Sequence, residues 1–389
     1  MTDNAPLLRP MHRRLFALRE RMARRLSLAA GMALLAIPLS AAAIFALGLF
    51  ATFLCWSLLE PLWPIPGLVL ILGSAPAVLA GYVAARLLSV LFAPLPAPQG
   101  VRLEPEDARD LFRLIDDMSG MLEGARIDYV WITPAMNAAV LQRPRRRFFG
   151  RIENHLLLGL PLAHSLSCKQ LTAVLAHEFA HLSVQRKGFG KYGALLRAWW
   201  LRALDKMSDV FPALGALADR ALKRLYTNMA RLARIEEFEA DARAAQIVDA
   251  DLLGETLIEV SLKEHFLYQD YWPRVLAQSR LRAKPLVRPF RDLSLGMSAG
   301  FFRDAAGDGL SGNREPHPLH PTPHERLSAL RVKPRIAVEA STSPSVAHRY
   351  LSPLLLTLAW VFDRAWWQDA RPDWQLTYRD ACRKHKRNQ

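Results

Sequence analysis

The sequence predicts a mainly α chain with one small β-sheet, arranged as an N-terminal hairpin of two membrane-spanning helices followed by a larger globular domain. Three observations predict it. Two long apolar stretches, Leu26–Leu59 and Leu68–Phe92, stand near the start, separated by a Pro-rich turn. Short runs of β-type character are confined to Ile127–Leu158. Nearly everything after them carries helical periodicity. The chain has 389 residues, 51% of them hydrophobic and 22% charged. That balance excludes an intrinsically disordered chain and implies two or three structural units.

In chain order, residues 1–25 form a basic segment in which Arg9, Arg13, Arg14, Arg19, Arg21, Arg24 and Arg25 crowd together. Leu26–Leu59 then carries no charge. A ~30 Å hydrocarbon layer needs about 20 apolar residues, so this stretch suffices for one tilted helix. Pro38 is tolerable inside a lipid-embedded helix. Glu60, Pro61, Pro64, Pro66 and Gly67 make the turn, with Trp56 and Trp63 placed for the interface. Leu68–Phe92 returns, with Arg86 near its end able to reach the headgroups. Residues 26–93 are thus expected to be a transmembrane hairpin, and Pro94, Pro96 and Pro98 a linker. A cleaved signal peptide is excluded by the length of the first stretch and the presence of a second; a buried hairpin in a soluble protein is the competing reading. The turn lacks Lys and Arg, whereas both flanks are basic (Arg143, Arg145, Arg146 and Arg147 follow later). Both ends should therefore face the cytoplasm, giving a multi-pass protein of the cell (inner) membrane.

The formal net charge of +15 points to membrane lipid as a partner, because arginine beside a long apolar run marks an anchor. No nucleic-acid-binding motif accompanies it, so no nucleic-acid partner is expected. Cys55, Cys168 and Cys382 are too few and too scattered for a disulfide framework, and none sits in a C-x-x-C pair.

Residues 100–335 read as a separate domain. Glu104–Met121 is expected to be helical, since Leu111, Leu114, Ile115 and Met118 share a face. Ile127–Ile132, Ala138–Gln142 and Ile152–Leu158 read as strands, punctuated by Pro134 and by Pro144–Gly150. Lys191–Ala233 is amphipathic: Arg197, Arg202, Asp205, Lys206, Asp219, Arg220, Lys223 and Arg224 interrupt every apolar run, which argues against a span there. Its Leu195, Leu196, Trp199, Trp200 and Leu204 face would lie on a membrane surface, roof a cleft or pack in a core. Residues 336–389 are expected to be a helical extension. Leu351–Phe362 is too short to span and should pack on the domain, held down by Trp360, Trp366, Trp367 and Trp374. Arg383–Arg387 is expected to be a disordered basic tail.

His177-Glu178-Phe179-Ala180-His181 is an H-E-x-x-H motif within Lys169–Val184, a segment of helix formers free of Gly and Pro. On a helix, positions four apart share a face, so both imidazoles can turn toward one Zn²⁺, with Glu178 beside them to act on water. A catalytic zinc needs a third protein ligand. Arg234–Ala242 supplies a candidate: Glu237 and Asp241 are again four apart, and Ala and Phe around them argue for burial. Glu237 can ligate zinc, and Asp241 can accept the outer N–H of a ligating histidine, fixing its tautomer. Glu236 and Glu239 lie on other faces. His155, His164, His265, His317, His324 and His348 lack ligand spacing and read as surface or core residues.

H-E-F-A-H followed by E-F-E-A-D-A resembles the HtpX-like and CAAX prenyl endopeptidase group of membrane zinc metallopeptidases, metallopeptidase family 48. Leu158–Leu162, Leu166-Ser167 and Leu171–Ala176 lead into the motif as in that family. Met136-Asn137-Ala138-Ala139 and His320–Leu327 resemble two further segments. The likeness covers about Leu103–Leu330. It implies a gluzincin-type domain with one Zn²⁺ per chain, ligated by His177, His181 and Glu237, with Glu178 the general base and Asp241 behind a ligand. The strand near Asn137 and Ala138 would bind the substrate backbone by β-addition. His320 and Arg326 would stand near the cleft, one stabilising the transition state and the other an anchor. Many relatives place a second pair of membrane segments before the third ligand; Lys191–Ala233 departs from that.

The expected function is a membrane-anchored zinc endopeptidase acting on polypeptide substrates, with misfolded membrane proteins suggested by the resemblance. The competing class is a non-catalytic, membrane-tethered chaperone or interaction module on the same fold. A transporter or channel would need more than two spans.

Overall fold

The computed structural model describes residues 9–59, 66–92, 97–122, 126–146, 149–185, 190–297, 320–333 and 344–387. The turn at Glu60, Pro61, Trp63 and Pro64, the linker prolines Pro94 and Pro96, and Arg147 and His317 lie outside the described residues. The chain divides into two compact units: Met1–Pro96 with Gln185–Ile235, and Ala97–Val184 with Glu236–Gln389.

The first unit is built on two helices that are long and apolar enough to cross a membrane. The first, α1 (Arg9–Leu59), is one helix of 51 residues with Pro38 inside it. Its neighbour α2 (Pro66–Ser89) contains Pro76 and ends in a 3₁₀ turn, Val90–Phe92. The pair approaches closely because of its small residues. A Cβ at Gly48 would fall 2.1 Å from the Ala80 side chain and 3.0 Å from the Pro76 carbonyl oxygen. Thr52 Oγ1 accepts a bond from the Ala77 amide at 3.0 Å, just past Pro76. Helix α6 (Gly190–Val210) packs beside them in the same unit. Leu34, Ile37, Val90, Ala203 and Val210 form its buried cluster, with Leu196, Trp199, Trp200 and Met207 against it. The apolar face of α6 thus packs on the hairpin. Arg197, a charge in an apolar setting, is buried and donates to Ser27 Oγ at 2.7 Å and to the Ala23 carbonyl at 3.3 Å. Trp199 Nε1 donates to the Leu91 carbonyl, and Arg86 to that of Val210. Outside these contacts the apolar side chains point outward: Leu39, Leu47, Phe50, Phe53, Leu70 and Ile71 are all exposed.

The second unit holds a four-stranded sheet in the order β1-β2-β4-β3. Its strands are β1 (Val101–Leu103), β2 (Tyr129–Thr133), β3 (Ala138–Arg146) and β4 (Phe149–Gly159). β2 and β4 run parallel, and the outer pairs are antiparallel. Period-2 alternation sends Val130, Ile132, Leu156 and Leu158 into the core. Strand β3 continues past Gln142 through Pro144, which sits opposite Ile152, and a register shift follows. The expected break at Pro144 does not occur because β3 is an edge strand, where a missing N–H costs no ladder bond.

Helix α3 (Arg109–Met121) buries Leu111, Ile115 and Met118; it starts five residues later than expected, as 104–108 lie in a turn. A short helix, α4 (Leu160–Ser165), leads from the sheet to α5 (Cys168–Gln185). Helix α7 (Gly215–Val248) contributes Glu236–Val248 to this unit, followed by α8 (Ala250–Phe266) and, after a π-helical turn, α9 (Trp272–Ala277). Then come α10 (Pro323–Leu330), α11 (Val346–Tyr350) and α12 (Leu355–Arg387). Leu358, Ala359 and Phe362 of α12 join the main core, and Trp366 stands 5.9 Å from Trp272. Helix α12 packs on the core through these residues, but Trp360, expected to help hold it down, is 56% exposed. Arg383–Arg387 continues that helix, which corrects the expectation of a disordered tail: the helix has only to be propagated, at one backbone bond per residue.

Candidate metal centre

Helix α5 is positioned by its first turn and by burial. Ser167 and Gln170 form a reciprocal capping pair: Gln170 Oε1 accepts from the Ser167 amide at 2.9 Å, and Ser167 Oγ accepts from the Gln170 amide at 3.4 Å. Leu171, Leu175, Phe179 and Leu182 anchor the helix in the core. The face left over carries His177 and His181. Their Nε2 atoms are 3.1 Å apart, with rings at 90° to one another. Glu237, on α7, completes the group: Oε2 lies 3.5 Å from His177 Nε2 and Oε1 3.4 Å from His181 Nε2.

All three ligand atoms fall within 4.8 Å of one another. A tetrahedral zinc with bonds near 2.1 Å separates its ligand atoms by about 3.4 Å. The observed separations of 3.1–3.5 Å match that spacing, and two imidazoles with one carboxylate are a suitable donor set. The residues fit one zinc ion.

The surroundings fix these side chains. His177 Nδ1 is 2.9 Å from Asp241 Oδ1; with Nδ1 donating there, Nε2 is left to face the cluster. Arg326, from α10, forks onto Asp241, donating from Nε to Oδ2 at 2.7 Å and from Nη2 to Oδ1 at 2.5 Å. Its Nη1 also lies 3.3 Å from Glu237 Oε2. Helix α10 aims Arg326 through a capping box between Thr322 and Glu325. His320 Nδ1 reaches Glu237 Oε1 at 3.0 Å.

Burial and Arg326 both oppose a proton on His177, but the Asp241 and Glu237 carboxylates prevail and push it up to about 9. For Asp241, burial acts upward and the Arg326 guanidinium downward; the guanidinium wins, and the carboxyl falls to about 2. Glu237 is held well below the carboxylate range by its histidine partners, against the effect of burial. Burial pushes Glu178 the other way, above the usual range, despite the pull of His177 and His181. Glu178 makes no hydrogen bond or ion pair with another side chain among the described residues, which leaves its carboxyl available to a reactant.

Seven sequence-predicted residues therefore converge: His177, Glu178, His181, Glu237, Asp241, His320 and Arg326. Asn137 and Ala138 stand outside that network, where β3 begins; the Asn137 carbonyl accepts from the Gly159 amide at 2.8 Å. A Cβ at Gly159 would collide with the Ala135 carbonyl at 1.8 Å, so the close approach of β4 to the 135–137 segment requires glycine there. Sequence reasoning set Glu239 aside, yet it is almost fully buried. Arg243 joins it, donating to Glu239 Oε1 and Ser183 Oγ at 2.6 Å each, and so ties α7 to α5 beside the ligands. The four-residue spacing of Glu239 and Arg243 was the available signal; Ser183 had none.

With this geometry in view, comparison with protein families matches residues 148–333 to peptidase family M48. That segment resembles the M48 peptidases, and the likeness supports a protease role. The family's members are metallopeptidases, in keeping with the His-His-Glu cluster. No curated protein and no solved structure matched the chain.

Proposed function

We propose that the protein is a membrane-anchored, zinc-dependent endopeptidase. The observation that supports this most is the placing of the His177, His181 and Glu237 ligand atoms within 4.8 Å of one another, beside Glu178, in an M48 domain. His177, His181 and Glu237 would hold the ion, which when bound supplies Lewis acidity toward a peptide carbonyl and makes water nucleophilic near neutral pH. Glu178 takes a proton from the water that attacks the scissile carbon and passes it to the leaving amine as the C–N bond breaks. Its raised proton affinity suits that double duty, since a base that binds protons too weakly cannot return one. Asp241 would hold the His177 tautomer, Arg326 would hold Asp241, and His320 lies at the edge of the cluster against Glu237.

Strand β3 supports backbone recognition of substrate. The Gly159–Asn137 bond fixes the alternation of the ladder, so Ala138, Val140 and Gln142 direct their backbone N–H and C=O groups away from β4. An extended substrate adding there would be read by main chain, as an endopeptidase for unfolded segments requires. In the first unit, the candidate span on α1, Arg14–Leu58, is 45 residues long and exceeds the roughly 20 residues needed to cross a bilayer core. With Leu70–Phe92 it would form the two spans, and the basic flanks support a reading with both ends in the cytoplasm.

Glu178→Gln should retain zinc and lose casein hydrolysis by about 10²–10⁴-fold, while a chelator should abolish the wild-type activity. An unchanged turnover rate in Glu178→Gln would refute the mechanism. Chelator-insensitive holding of unfolded substrate without cleavage would favour the chaperone reading instead.

A further inference from the structure

The second unit carries a surface feature that the catalytic chemistry does not use. Between the 3₁₀ turn Gln278–Arg280 and Asp292 the chain reads Arg280-Leu281-Arg282-Ala283-Lys284-Pro285-Leu286-Val287-Arg288, with cations and apolar residues interleaved. Leu281 is 79% exposed and Leu286 65%. Isolated exposed leucines are ordinary in soluble domains. These two are different because the segment beneath them is fastened.

Trp374 Nε1 donates to the Arg282 carbonyl at 2.9 Å, and the Leu281 and Arg282 amides both bond the Gln278 carbonyl. Tyr271 donates its hydroxyl to the Pro289 carbonyl, and the Phe290 amide donates to Asp363 at 2.7 Å. Phe290 is buried between Trp272 and Phe362. The leucines are therefore held out in water by an ordered base. Arg280, Arg282 and Lys284 beside them form no ion pair among the described residues, whereas neighbouring Arg274 and Arg291 are paired with Asp270 and Asp292. The acids facing the segment, Asp292 and Asp363, stand at its Arg288 end.

We propose that this segment is a docking site for an anionic phospholipid surface: Leu281 and Leu286 enter the headgroup–acyl boundary while Arg280, Arg282 and Lys284 meet phosphate oxygens. Charge complementarity selects that occupant. Two protruding aliphatic tips need an apolar phase, and three uncompensated cations around them need anions at its rim. The proposal rests on the membrane anchoring proposed above, which would hold the site near such a surface. It would orient the peptidase domain against the bilayer through a second, reversible contact.

The test uses the full chain with Cys55, Cys168 and Cys382 replaced by serine and an environment-sensitive fluorophore on Leu286→Cys. It is reconstituted in nanodiscs of phosphatidylcholine alone or with phosphatidylglycerol. The expected result is a blue-shifted emission, quenched by spin-labelled lipid, in the anionic discs and not in the neutral ones. The triple change Arg280→Gln, Arg282→Gln and Lys284→Gln should reduce the quenched fraction strongly, each lost cation weakening the contact about fivefold. Equal quenching in both discs, no quenching in either, or a shift produced by polyglutamate or an oligonucleotide but not by anionic discs would overturn the proposal. Flotation of the unlabelled chain with liposomes reads the hairpin separately, so a failure of anchoring is distinguishable from a failure of this site.

Discussion

The two units solve opposite packing problems. In the first, apolar residues face outward along α1 and α2, and a buried arginine, Arg197, is spent on tying α6 to Ser27. In the second, apolar residues face inward and the buried charges gather at one place, where Glu237, Asp241 and Arg326 surround two histidines. A water-soluble unit has no reason to expose Phe50, Phe53 and Leu39, and a purely structural core has no reason to bury two carboxylates beside a guanidinium. The contrast sets a surface suited to an apolar surrounding against an interior suited to holding a metal ion.

The largest effect is expected at the charged interior. Arg326→Leu leaves the Asp241 and Glu237 carboxylates buried without their cation. In metal-free protein it should cost about 3–5 kcal/mol of stability, read from urea unfolding; a loss below 1 kcal/mol would show that the cluster is solvated. Next comes the outward face. Phe50 and Leu376 are similarly exposed, at 60% and 58%, but belong to different units. Phe50→Lys should impair bilayer insertion by about 3 kcal/mol, seen as loss of carbonate-resistant membrane association. Leu376→Lys should change stability by no more than about 0.5 kcal/mol. Equal effects at the two sites would erase the distinction.

A smaller effect concerns acid. Burial, followed by the charge of His348, lowers His164 to about 4. Above pH 6.5 the imidazole is neutral in both folded and unfolded chains. As pH falls from 6.5 toward 4, only the unfolded chain takes up the proton, so stability declines, by about 2 kcal/mol at pH 5. His164→Leu should flatten that part of the stability profile; an unchanged slope would assign the acid sensitivity elsewhere.

What the sequence made legible was whatever depends on spacing along one element. His177 with His181, and Glu237 with Asp241, each lie one helical turn apart, and the apolar lengths of α1 and α2 are countable. Strand β1 was not foreseen, because three residues show no period. The end of the strand at Gln142 was misjudged because a proline stops a strand only where its N–H is needed, and edge position is a property of the assembled sheet. Arg326 and His320 were reached only through family resemblance, as 85 residues separate Arg326 from Asp241. The Glu239–Arg243–Ser183 tie emerges only when α5 and α7 pack.

His177, His181 and Glu237 are proposed to bind one zinc ion. Metal analysis of purified full-length wild-type protein, Glu237→Ala and the neighbouring Glu236→Ala, all shown to be folded by circular dichroism, tests it directly. About one zinc per chain is expected in the wild type and in Glu236→Ala, and a large loss in Glu237→Ala. Equal zinc in all three proteins, or none in the wild type after growth with zinc, would contradict it.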